Sequence, residues 1–214
     1  MKALLLDFDG TIMDTNDIII ASWQHTFRTL RGREGDRRTI LGTFGEPLEL
    51  SMRNLFPEVP SEKSLWTYRN YQRENFLSCI HLFPGVREML DELQSRGCPM
   101  ALVTSRLKYT TDQALDAFDL RRYFPVIVTA DEVPRYKPDP QCAQIAMDRL
   151  GVVPEETVMV GDTVHDILCA KNAGVTAVLV AWSMTLSGKG RSDFAPSEAP
   201  NALIDTPEQL LEMI

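Results

Sequence analysis

Short runs that are apolar at nearly every position, and that end in polar or acidic residues, recur along the chain. KALLLDF at 2–8 is the first; MALVT at 100–104, VIVT at 126–129, TVMVG at 157–161 and TAVLVA at 176–181 repeat the pattern. Continuous rather than alternating apolarity marks strands buried on both faces of a parallel sheet. Between these runs lie segments with helical spacing: 85–96, 108–118, a segment opened by Asp139-Pro140 and closed by Gly151, and 162–173 ahead of Gly174. Asp139 is expected as an N-cap with Pro140 in the first helical position, and the two glycines as C-caps. Strands alternating with helices predict an α/β fold built on a parallel sheet with right-handed crossovers.

The stretch 15–82 breaks the alternation. It holds no strand-like run and four helical ones, at 17–30, 37–41, 48–55 and 61–77. A connection of roughly 65 residues is far too long for one crossover, so it is expected to be an inserted helical domain. The α/β domain is then 1–14 plus 83–214. The Ser-, Gly- and Pro-rich stretch 183–200 is expected to be an irregular loop.

Composition narrows the function classes. Hydrophobic residues make up 44% and charged residues 24% of the 214 residues, an ordinary globular balance. With 22 Lys+Arg against 30 Asp+Glu the formal net charge is −8, which repels nucleic acid and anionic membranes. No apolar run approaches the length of a membrane span, and the first run meets Asp7 and Asp9 too soon to be a signal peptide. The four cysteines, Cys79, Cys98, Cys142 and Cys169, show neither zinc spacing nor a C-x-x-C pair and are expected as free thiols of a cytoplasmic protein.

Four clusters can carry chemistry. Asp7 and Asp9 flank Phe8 at the end of the first run, where two neighbouring carboxylates invite a hard cation such as Mg²⁺ or Ca²⁺; alone, they read equally well as a solvated turn. Asp162 and Asp166, in GDTVHD at 161–166, lie where a helix is expected to start and its dipole favours negative charge; alone, Asp162 reads as a helix cap. Thr104-Ser105 offers hydroxyls and N–H groups for a phosphate, or simply a cap. Lys137, before Pro138, supplies a point charge for a phosphate, although most lysines are solvated. Ligands of open α/β sheets bind beyond the carboxyl ends of the strands. All four clusters sit at such ends, so they are expected to converge on one divalent-metal site for phosphoryl chemistry.

In order and spacing these segments resemble the haloacid dehalogenase superfamily of phosphohydrolases across essentially the whole chain. DFDGT at 7–11 is similar to its first motif, Thr104 to the second, Lys137 to the third and GDTVHD at 161–166 to the fourth. The segments GEPL at 45–48, KPDP at 137–140 and VAWS at 180–183 look most like phosphoglycolate phosphatases and related bacterial pyrophosphatases. One departure is Arg106, where such relatives often carry lysine.

The resemblance implies a Rossmann-like core with an α-helical (C1-type) cap at 15–82, hinged at 11–15 and 82–85. It implies a small phosphorylated substrate, Asp7 as nucleophile and Asp9 as general acid and base. Thr104, Ser105 and Lys137 would hold the phosphoryl group. Mg²⁺ would be bound by Asp7, the Asp9 carbonyl and Asp162, with Asp166 orienting a metal-bound water or Lys137. Trp23, Phe27, Trp66 and Phe76 are expected to pack the cap, and His25, Glu46, Arg53 and Lys63 are candidates for substrate choice, each more simply a solvated residue. A phosphosugar mutase of the β-phosphoglucomutase type shares all four motifs and is the alternative. A phospho-receiver module lacks such an insert, and a catalytically idle binding protein would not need the full set of acids.

Overall fold

The computed structural model describes residues 2–186 and 193–214. Of the loop expected at 183–200, residues 187–192 lie outside the described residues. The chain divides into two compact units, Met1–Asp14 with Leu82–Ile214, and Thr15–His81.

The first unit is built on a six-stranded, all-parallel sheet. Its order is Val126–Val128, Met100–Val103, Ala3–Leu6, Thr157–Gly161, Thr176–Val180 and Ala202–Ile204. Ala3–Leu6, Met100–Val103 and Thr157–Gly161 are buried at every position, as their unbroken apolarity requires. Helices Gln141–Leu150 and Val164–Ala173 cover one face, where Ala143, Ala146, Ile167 and Ala170 pack on Leu5, Ala101, Val103 and Met159. Small alanines let these helix backbones approach the sheet closely. A single large-to-small change such as Leu5→Ala in this layer is expected to cost about 2–5 kcal/mol.

The sixth strand, Ala202–Ile204, was not expected. It is the three-residue run Ala-Leu-Ile, the first two only partly buried, and it directly follows the stretch that reads as loop. It pairs in parallel with Thr176–Val180, and Asn201 leads it in: its backbone N–H donates to Ala177 O and its side-chain Oδ1 accepts from Ala177 N, each at 2.8 Å. At 141–150 the helix starts one residue later than expected. Pro140 is the capping residue, and Asp139 Oδ1 accepts from Gln141 N at 3.0 Å.

The second unit is helical: Asn16–Arg31, Arg37–Leu41, Leu48–Leu55 and Ser61–Asn75. Trp23, Phe27, Ile40, Met52, Phe56 and Tyr68 form its core. Trp23 meets Tyr68 edge-on at 5.1 Å, and Phe27 lies 4.8 Å from Phe56. Phe76 is buried as well, but Trp66 is 66% exposed, which corrects the expectation that it packs inside. It falls one position before Thr67 and two before Tyr68, both buried, on the outward side of the last helix.

Candidate active site

Register explains why distant residues meet. Leu6 pairs with Leu102 on one side and Val160 on the other, so the three central strands end within one residue of each other. Asp7 N continues the ladder to Val160 O at 2.9 Å, and Thr104 N continues it to Val128 O at 3.0 Å. Asp7, Thr104 and Asp162 therefore leave the sheet side by side at its carboxyl edge.

Lys137 ties the cluster together. Its Nζ donates to Asp7 Oδ1 at 2.7 Å, Asp166 Oδ1 at 2.7 Å and Val103 O at 2.8 Å. Three acceptors use all three ammonium protons. Its side chain is 4% exposed, so the solvated-lysine reading is wrong for this residue. Burial works against its charge, but Asp166 and Asp7 hold its pKa well above the usual lysine range.

Carboxylate oxygens of Asp7, Asp162 and Asp166 all lie within 4.8 Å of one another, and all three residues are buried. Burial foremost drives the Asp7 pKa well above the ordinary carboxyl range, opposed by Lys137 and reinforced by Asp166 and Asp162. Asp162 is pushed up to about 7 by burial and then by the charge of Asp166, against hydrogen bonds from Ser183 and Thr185. Asp166 goes the other way. Burial opposes its ionisation, but the Lys137 charge and hydrogen bonds from Lys137 and Thr163 hold its pKa low. So much negative charge in one dry place is costly without a cation.

The three acids are not equivalent. Asp166 is already used: Oδ1 accepts from Lys137, and Oδ2 accepts from Thr163 Oγ1 at 2.7 Å and Thr163 N at 3.1 Å. The capping residue of helix Val164–Ala173 is Thr163, with Asp166 closing the capping box, so Asp162 does not serve as the cap. Among the described residues, Asp7 Oδ2 and Asp162 Oδ1 accept no hydrogen bond.

Asp9 stands apart from the triad. It is half-buried, and its Oδ1 accepts from Arg106 Nη1 at 2.9 Å. Thr104 is buried; its Oγ1 accepts from Arg106 N at 3.1 Å, and the following helix is capped at Leu107, so Thr104 is not its cap. Ser105 is exposed beside it. The structure thus brings Asp7, Lys137, Asp162 and Asp166 into one buried group. Thr104 lies on the same sheet edge, and Asp9 is steered by Arg106.

Arg106, Ser183 and Thr185 were given no role from the sequence. Ser183 and Thr185 follow strand Thr176–Val180, so the rule that flagged Thr104, a hydroxyl past a strand's carboxyl end, would have found them too. Gly10 makes room for the cluster. Its φ is +73°, and a Cβ there would overlap Asp162 Oδ2 and sit 2.9 Å from Ser183 Oγ. Gly10→Ala is expected to destabilise the protein by at least ~1–3 kcal/mol from backbone strain alone, measured by denaturant unfolding. Unchanged stability would mean that the loop carrying Asp162 can yield.

The family model for haloacid dehalogenase-like hydrolases matches residues 4–180. The chain belongs to that family. Within this family of hydrolases, the chain is 34% identical over 214 residues to the pyrophosphatase PpaX of Halalkalibacterium halodurans, covering 100% of this chain and 97% of that protein. A Lactobacillus plantarum structure described as a phosphoglycolate phosphatase superposes with a TM-score of 0.84 at 21% identity, covering 100% of this chain and 99% of that one. A Thermotoga maritima structure described as a β-phosphoglucomutase superposes with a TM-score of 0.78 at 27% identity, covering 100% and 98%. The fold is α/β, a Rossmann-like six-stranded parallel sheet flanked by helices. Among the described residues, no helix is long and apolar enough to cross a membrane.

Proposed function

We propose that the chain is a magnesium-dependent phosphatase that hydrolyses pyrophosphate or a small phosphate monoester through a phosphorylated Asp7. The observation that carries this reading is the buried Lys137 ammonium bonded to both Asp7 and Asp166, with Asp162 completing the acidic triad. Identity to the PpaX pyrophosphatase over the full length of the chain favours pyrophosphate as the first substrate to test.

The donor set fits Mg²⁺: hard carboxylate oxygens, two of them without hydrogen bonds, in a group whose burial disfavours uncompensated charge. Asp7 and Asp162 would hold the ion, the Asp9 carbonyl is a further candidate, and Asp166 acts through Lys137 and Thr163. Bound there, Mg²⁺ would neutralise charge on the phosphoryl group.

The rest is done by the protein's own side chains. An Asp7 oxygen attacks phosphorus while the bond to the leaving oxygen breaks, and Asp9 gives that oxygen a proton. Water then attacks phosphorus, Asp9 takes its proton, the bond to Asp7 breaks and phosphate leaves. Lys137 fixes the attacking carboxylate and, with Thr104 and the Ser105 N–H, stabilises charge on the phosphoryl oxygens. Arg106 holds the Asp9 carboxylate in place between the two steps. The helical unit 15–81 is assigned as the cap that selects substrate.

Phosphate release from pyrophosphate and from a panel of monoesters, with Mg²⁺ or with chelator, tests the reading directly. Release that needs Mg²⁺ is expected. Conversion of a hexose phosphate to its isomer without phosphate release would favour the mutase instead.

The Asp162 pKa gives a second check. Its folded value is raised, so the metal-free protein gives up stability as pH rises from the ordinary carboxyl range through about 7. A cation binds the ionised form and competes with a proton below that pH. The melting-temperature increase produced by Mg²⁺ is therefore expected to be larger at about pH 8 than at about pH 6. An increase independent of pH over that range would remove Asp162 from the ligand set.

A further inference from the structure

We propose that Ser183 and Thr185 are positioning residues for Asp162: their hydroxyls occupy its Oδ2 and main-chain oxygen and so present Oδ1 to the cation. This rests on the reading of Asp162 as a magnesium ligand.

Ser183 Oγ donates to Asp162 Oδ2 at 2.6 Å. Thr185 Oγ1 lies 2.8 Å from the same Oδ2 and 2.9 Å from Asp162 O. A hydroxyl has one proton; of the three acceptors within reach of Thr185 Oγ1, two belong to Asp162 and the third is Ser183 Oγ, which itself donates to Asp162. The two hydroxyls also brace each other at 3.0 Å, and Thr185 N donates to Ser183 Oγ at 3.4 Å. Ser183 is 2% exposed and Asp162 is 4% exposed, so water competes little for these bonds. They reach Asp162 because their strand runs beside its own, with Gly161 paired to Leu179.

The chemistry of the donors separates Asp162 from Asp166. Asp166 is bonded to a cation, Lys137, which cancels its charge. Asp162 is held by two neutral hydroxyls, which fix its orientation and leave its full negative charge for the metal. Outer-sphere hydrogen bonds that aim a ligand carboxylate in this way typically contribute tenfold to a hundredfold to metal affinity. The Thr185 hydroxyl on the main-chain oxygen adds a second anchor, so the carboxylate cannot swing as a unit.

The test uses the full chain without substrate. Mg²⁺ dissociation constants are measured by titration calorimetry for wild type, Ser183→Ala, Thr185→Val, the double variant and Thr185→Ser, with melting curves of each metal-free protein as the check on folding. Each single loss of a hydroxyl is expected to raise the constant about tenfold and the double about a hundredfold. Thr185→Ser keeps its hydroxyl and is expected to keep wild-type affinity. In steady state, the Mg²⁺ concentration for half-maximal rate should rise more than kcat falls at saturating Mg²⁺. A folded double variant with wild-type affinity overturns the proposal, as does a Thr185→Ser variant as weak as Thr185→Val. If the double variant does not fold, the two single variants decide by the same criterion. Absence of Mg²⁺ binding to wild type would instead remove Asp162 as a ligand, and the proposal with it.

Discussion

Asp7→Asn is expected to lower kcat by on the order of 10⁴-fold or more, because the amide cannot form the bond to phosphorus on which both half-reactions depend. The same change is expected to leave the metal-free fold as stable as wild type or more so. The Asp7 carboxyl is buried at the level of the sheet edge, and burial, Asp166 and Asp162 all disfavour its ionised form. A group whose folded pKa is raised makes the folded state less stable as pH rises past its ordinary value. An isosteric amide removes that charge and still offers Lys137 an oxygen. Kinetics and melting temperature, measured on one preparation without metal and with it, would therefore move in opposite senses. A variant that both unfolds and loses activity would show that the carboxylate is structural; one that keeps turnover would end the nucleophile assignment.

Lys137→Ala is expected to damage both properties. It takes away the one donor shared by Asp7 Oδ1, Asp166 Oδ1 and Val103 O. Breaking a buried ion pair from one side costs about 3–5 kcal/mol, because the partner charges stay behind. The raised Lys137 pKa means that its contribution is complete below the ordinary lysine value and is lost only at still higher pH. The destabilisation should thus persist across the neutral range. Lys137→Met keeps most of the volume, so similar losses in both variants would assign the effect to charge and not to packing. Activity should fall by about 10²–10³-fold, as for removal of one charge-stabilising donor. Denaturant unfolding of the metal-free variants separates the two effects, and a Lys137→Met protein as stable as wild type would contradict the ion-pair account.

The centre of the site was legible because its residues follow from the sheet. Apolar runs identify the strands, parallel order aligns their carboxyl ends, and Asp7, Thr104 and Asp162 then have nowhere else to go. Lys137 was legible only through its place in the order of motifs; nothing local distinguishes it from a surface lysine. Chain pattern could not show that Asp9 would be held by Arg106, since that contact joins two loops 97 positions apart. Ser183 and Thr185 were within reach of the rule that flagged Thr104, but they sit in a tract whose composition reads as loop, and their contact with Asp162 joins positions more than twenty residues apart. Strand Ala202–Ile204 escaped because its short, partly exposed run directly follows the loop-like tract; it is held by a parallel ladder to Thr176–Val180 and by the Asn201 side chain. Trp66 escaped for the opposite reason: a large aromatic in an amphipathic helix is normally buried, and here the helix turns it outward.

The most direct test of the account is whether phosphorus becomes bonded to Asp7. Asp9→Asn removes both the acid of the first step and the base of the second; the phosphate that leaves pyrophosphate needs its proton less than the attacking water needs the base, so the second step slows more and the first product should accumulate. This variant would be mixed with excess pyrophosphate and Mg²⁺, quenched in acid at times from milliseconds to minutes, digested and weighed by mass spectrometry. The account predicts one added phosphoryl group on the peptide that contains Asp7, and none when Asp7 is also replaced by Asn. A phosphoryl group on another residue, or wild-type phosphate release with no modified Asp7 peptide in either protein, would contradict it.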